Sequence, residues 1–149
     1  MASHCLIGES QVIWDKHTVE QVLEKVEGAA GIAVVSARLD GEKFPSLKLG
    51  RAPKPGALVA SVGFGGGSPQ PLWYMGLISL PKVRINEGAF QMAHTATAME
   101  GMSGGPILDA KGKVVGIILG GFAPGNGPAT VTLSPAYEEL KRLFDKWGG

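Results

Sequence analysis

The sequence predicts an all-β fold of barrel or sandwich type, closed by a single C-terminal helix. Three observations predict it. Apolar runs are short and rich in β-branched residues, as in Ile32–Val35, Ala57–Val62 and Val114–Leu119. Turn signals separate them at roughly eight- to twelve-residue spacing, drawn from 23 glycines and 10 prolines. The last stretch, with Tyr137, Leu140, Leu143, Phe144 and Trp147, repeats its apolar residues at helical spacing.

The elements follow in order. Gln11–Trp14 and Thr18–Val26 read as strands around a turn at Asp15-Lys16-His17. Val19, Val22, Leu23 and Val26 also suit a helical face, so strand and helix compete there. Ile32–Val35 is a buried strand, Asp40-Gly41 a turn, Leu47–Leu49 a brief edge strand, and Lys54-Pro55-Gly56 another turn before Ala57–Val62. Gly63–Gln70, with four glycines, is the expected boundary between an N-terminal unit at 1–66 and a C-terminal unit at 67–149. Leu72–Leu80, Val83–Ile85 and Phe90–Thr95 read as three further strands. Pro106–Leu108 and Val114–Leu119 form a hairpin, Gly120–Gly127 a loop, and Thr130–Leu133 a last strand. Ser134 is expected as helix N-cap with Pro135 in the first turn. Glu138 and Glu139 suit the positive end of that helix.

Composition narrows the function. Net charge is +1 without a basic block, so neither nucleic acid nor a membrane surface is indicated as partner. Cys5 is the single cysteine, which rules out an intrachain disulfide and a cysteine-based zinc site; it reads as a small buried apolar side chain. There is no apolar run long enough for a membrane-spanning helix, and Met1–His4 does not resemble a signal peptide. No metal or organic cofactor is called for.

Gly101-Met102-Ser103-Gly104-Gly105-Pro106 is the most informative stretch. Glycines around a serine let a substrate backbone approach, and they allow turns that aim neighbouring N–H groups into one small space. The N–H groups of Gly101 and Ser103 are the candidate oxyanion hole for acyl transfer, and Ser103 Oγ the candidate nucleophile, which needs an adjacent base. Read on spacing alone, a tight glycine turn between two strands explains the motif equally well.

The hexapeptide resembles the G-x-S-G-G-P signature of trypsin-like serine peptidases, and the resemblance extends over most of the chain. Ile107–Gly121 resembles the strand-turn-strand that follows the nucleophile. Gly31–Val35, Pro45–Gly50 and Gly56–Gly63 resemble the HtrA-like branch, and Ser3-His4-Cys5-Leu6 the segment that carries the general base. The resemblance implies a chymotrypsin fold of two six-stranded antiparallel barrels, with the first incomplete. It makes His4 the base that accepts the Ser103 proton, in the chain order of chymotrypsin-type enzymes. His17 reads as a solvated turn residue and His94 as a satisfied structural histidine near the specificity pocket. The substrate would be a peptide or protein. Thr97 at the pocket base, with Leu119, Gly120 and Gly121 along the strand edge, would bind it, and the absence of an acid there favours a small or apolar side chain before the scissile bond.

Two departures stand out. The family's third triad member, an Asp, corresponds to Gly31; Glu27 and Asp15 are the acids nearby in sequence. His4 is preceded by three residues, which at ~3.3 Å each cannot make the strands that open the first barrel. An upstream segment or a partner strand is therefore the expected completion. Met102 replaces the Asp that clamps a cleaved N-terminus in digestive relatives, so activation by that ion pair is not expected. The competing readings are a catalytically inactive peptide-binding module on the protease fold and a cis-acting viral or phage polyprotein peptidase.

Overall fold

The computed structural model describes residues 1–5, 13–14, 17–26, 31–37, 45–84, 88–122 and 131–148. Among them the chain forms β1 (Ile13–Trp14), β2 (His17–Val26), β3 (Ile32–Ala37), β4 (Leu58–Gly63), β5 (Leu72–Arg84), β6 (Phe90–His94), β7 (Pro106–Asp109), β8 (Val114–Ile117), β9 (Gly120–Phe122), β10 (Val131–Pro135) and α1 (Tyr137–Trp147). A single 3-10 turn at Ser3–Cys5 precedes β1.

Two antiparallel sheets result. The smaller runs β1-β2-β3, and Ala2 bridges to Ile32 beside it. The larger runs β8-β7-β4-β5-β6-β10-β9 and curls until its ends approach: Leu119 N–H bonds to Leu133 O at 3.0 Å, and Ile117 N–H to Ser134 Oγ at 2.9 Å. The curl wraps a core of Val59, Ile78, Met92, Ala96, Met102, Ile107, Val115 and Ile118. A second cluster lies between the sheets, where Ile32 of β3 meets Leu108, Val114 and the helix residues Leu140 and Leu143. The all-β class, the curled antiparallel sheet and the closing helix are as expected.

Several elements differ in detail. β2 is a strand; its helix-like spacing arises from register shifts at Val19/Gln21 and Val22/Glu24, which break the two-residue alternation. β5 runs through Pro81 because the ladder to β6 shifts between Leu80 and Val83, so no ladder bond is asked of the proline nitrogen. Leu49 makes one bridge to Val114 in place of a strand. Gly120–Phe122 is strand and not loop. β4 pairs with β5 and β7, so the larger sheet begins at Leu58 and the smaller one ends at Ala37.

Ser134 is not the helix N-cap. It belongs to β10, fully buried, and its hydroxyl accepts the Ile117 N–H; Ala136 occupies the cap position without a side-chain bond. A serine before a proline signals a helix start, but an unpaired N–H on a neighbouring strand has claimed this hydroxyl.

Candidate active site

The Ser103 turn hangs between β6 and β7 and is tied to the end of β8. Gly104 N–H bonds to Ile118 O at 2.8 Å and Ile118 N–H to Gly105 O at 2.8 Å. Gly101 takes φ 94°, in the left-handed region, and a Cβ there would stand 2.7 Å from Phe64 O. Glycine is what the turn demands at that position. Ser103 is half-buried, and its Oγ donates to Leu119 O at 3.4 Å. Among the described residues the N–H groups of Gly101 and Ser103 donate to no partner, whereas Met102, Gly104 and Gly105 all spend theirs on backbone carbonyls. Two unspent donors on either side of Met102, one of them the serine's own, are the parts an oxyanion needs.

The N-terminal segment reaches this turn from the other sheet. Met1 and Ala33 exchange both backbone bonds, at 3.0 and 2.9 Å, and Ser3 N–H bonds to Gly31 O at 2.6 Å. Cys5 Sγ lies 4.0 Å from Ser103 O, and a Cβ on Gly104 would stand 3.2 Å from Ala2 N. Residue 4 is therefore held between Gly31 on one side and the Ser103 turn on the other. The His4 side chain lies outside the described residues, as do Asp15 and Glu27. Cys5 is half-buried, where the sequence reading expected a buried side chain.

Gly31 sits where the resemblance expects the third triad member. Its φ of 50° is left-handed, and its carbonyl is used to anchor Ser3. Glycine offers no carboxylate to orient an imidazole.

Gly120 and Gly121 pair with Leu133 and Thr132 through one edge; β9 ends the sheet, so its other edge carries no strand among the described residues. Thr97 has an exposed side chain, and its carbonyl accepts the Ser61 hydroxyl at 2.5 Å. Ser61 is fully buried, on β4, and nothing in its sequence neighbourhood marks it; only the sheet pairing of β4 with β5 and β7 brings it under the loop. The apolar groove lined by Met1, Val34, Leu140, Phe144 and Trp147 does not include Ser103.

His94 corrects one expectation. It is fully buried, and neither ring nitrogen completes a hydrogen bond among the described residues, so it is not a satisfied histidine. Burial holds its pKa down to about 4, and the Ala96 backbone opposes the shift only in part. His17 opens β2, opposite Trp14, and is not in a turn.

A comparison with curated proteins gives no match. Among solved structures the chain is similar to the Rv3671c protease from M. tuberculosis in its active form, at 20% identity and a TM-score of 0.75, covering 99% of this chain and 68% of that one. It is similar to the MamO protease domain from Magnetospirillum magneticum in its apo form, at 21% identity and a TM-score of 0.67, covering 85% and 67%. It is also similar to the HtrA-type protease AlgW with a decapeptide, at 22% and 0.68, covering 88% of this chain and 41% of that one. At these identities the likeness is one of fold, the chymotrypsin fold. The sequence itself matches the model of the trypsin-like peptidase domain over residues 5–117, which takes in β1 to β8 and the whole Ser103 turn. The chain belongs to the trypsin-like peptidase domain family.

Proposed function

We propose that this chain is a serine endopeptidase that forms an acyl-enzyme on Ser103, with His4 as general base. The observation that carries the reading is the meeting of the two chain ends of the site. Hydrogen bonds from Met1 to Ala33 of β3 and from Ser3 to Gly31 just before it, with Cys5 against Ser103 O, keep residue 4 beside the Ser103 turn.

In this reading a peptide adds as an antiparallel strand to the open edge of Gly120–Gly121. Ser103 Oγ leaves Leu119 O and attacks the scissile carbonyl carbon while His4 takes the hydroxyl proton. The carbonyl π pair moves to oxygen, and the N–H groups of Gly101 and Ser103 bind the resulting oxyanion. Collapse expels the amine, which takes the proton back from His4; water then repeats the sequence on the ester and releases the acid. Thr97 and the uncharged rim favour a small or apolar side chain before the cleaved bond.

Labelling with a fluorophosphonate, read by intact mass, tests this. A single adduct is expected on the wild type, and none on Ser103→Ala or His4→Ala. A folded wild-type chain that takes no adduct would sink the reading. A second reading, a peptide-binding module without catalysis, is favoured by Gly31 and by the Ser103 hydroxyl turned to Leu119 O; it expects edge binding at Gly120–Gly121 with no adduct.

A further inference from the structure

Met102 belongs to two structures at once. Its backbone lies between Gly101 and Ser103, while its side chain is 1% exposed and packs in the barrel core with Ile78, Ile107 and Ile118. The loop that leaves β4 closes over it. A Cβ on Gly63 would stand 3.1 Å from both Cα and Cβ of Met102. One on Gly65 would stand 2.9 Å from Met102 Cγ and would run into the Met99 side chain.

The same loop holds the peptide planes that matter. In a trans peptide the N–H points opposite to its own carbonyl, so fixing one end aims the other. The Gly101 N–H shares a peptide with Glu100 O, which accepts the Gly66 N–H at 2.9 Å. The Ser103 N–H shares a peptide with Met102 O, which accepts the Gly105 N–H at 3.0 Å. Each candidate oxyanion donor is thus aimed from behind, one by the loop and one by the residue whose side chain the loop encloses.

We propose that Met102 is a positioning residue: its side chain, held in the slot floored by Gly63 and Gly65, together with the Gly66–Glu100 bond sets the direction of the Gly101 and Ser103 N–H pair. This rests on the acyl-transfer reading above and deepens it. An apolar anchor in the core does here what no ion pair at residue 102 can do.

Gly65→Ala fills the slot without touching Ser103 or His4. It is expected to slow fluorophosphonate labelling on the order of 100-fold, the size of effect that loss of an oxyanion donor gives. The pH midpoint of labelling should stay put, because the base is untouched. Amide exchange should quicken in the peptide spanning 99–105 and nowhere else. Met99→Ala, added to Gly65→Ala, removes one obstructing side chain but leaves the 2.9 Å approach to Met102 Cγ, so labelling should stay slow; Met102→Leu should label within a few-fold of wild type. Met102→Ala, which empties the slot, should act in the same direction as Gly65→Ala, so the proposal stays open to test if either variant fails to fold. Wild-type labelling and unchanged exchange in the folded slot variants would overturn it. A wild-type chain that takes no label ends the acyl-transfer reading instead, and the exchange arm still decides whether Met102 and the loop fix the turn.

Discussion

At the scale of single residues, Gly31 and His94 make opposite demands on their surroundings. Gly31 lacks the carboxylate its place in the family implies, and its φ of 50° lies in a region that Asp visits more readily than most residues. Gly31→Asp is therefore expected to fold, and to speed Ser103 labelling by roughly tenfold or more, given that the acid is worth on the order of 10⁴ in a complete triad. Gly31→Asn, which fits the same backbone without the charge, should give much less. His94 carries an ionisable ring with no hydrogen-bond partner among the described residues. The unfolded chain takes up its proton near pH 6.5 and the fold only near 4, so the unfolded state binds more protons between those values. Stability from this group is full above about pH 6.5 and declines as pH falls, by about 3 kcal/mol once both forms are protonated. Denaturant titrations of wild type and His94→Met at pH 7.5 and 5 check the slope; the variant should lose most of it, because an apolar side chain has no proton to gain. Sequence showed both residues but only the first fact. The motif pointed to the missing acid, while the unpartnered imidazole depends on what β5 and β10 place around β6.

At the scale of elements, the legible parts were those whose pattern is local. The hairpin Pro106–Leu108 to Val114–Leu119 and the helix stripe are written in consecutive residues, and the structure holds both. The misread parts have non-local causes: register shifts gave β2 its helical look, and Ile117 across the barrel claimed the Ser134 hydroxyl. The least legible feature is the clasp between β2 and α1. Glu24 accepts Arg142 at 2.6 Å, Lys146 at 2.9 Å and Trp147 Nε1–H at 2.8 Å, residues more than a hundred positions away. These bonds, Trp147 first and then Arg142, hold the Glu24 carboxyl down to about 2. The clasp is thus complete above the ordinary carboxylate range near pH 4.5 and fades as pH falls toward 2. Exposed partners screen it, so its worth is modest and salt-dependent. Glu24→Gln should shift Trp147 emission and lower the melting temperature slightly at low salt, with the difference closing at high salt; an identical melting curve and emission spectrum at low salt would show that the clasp does not form in solution.

At the scale of the whole molecule, the candidate site depends on two sheets packed against each other. The Ser103 turn belongs to the curled sheet, residue 4 is held against β3 of the small sheet, and α1 lies over the seam. Leu140 is 2% exposed and packs in the cluster that joins Ile32 of β3 to Leu108 of β7. Truncating such a side chain costs its transfer energy and leaves a cavity, together about 2–5 kcal/mol. If the sheets depend on each other through this cluster, Leu140→Ala should move one cooperative unfolding transition to lower denaturant, with Trp73 on β5 and Trp14 on β1 reporting the same midpoint. Labelling of Ser103 should fall with that same transition, because residue 4 and the Ser103 turn are held by different sheets. Two separated transitions, the small sheet melting first while the Ser103 turn keeps its exchange protection, would mean that the curled sheet stands alone and that β3 only docks on it. The first outcome ties catalysis to the seam under α1, and variants along that seam would then alter labelling without any contact to the site.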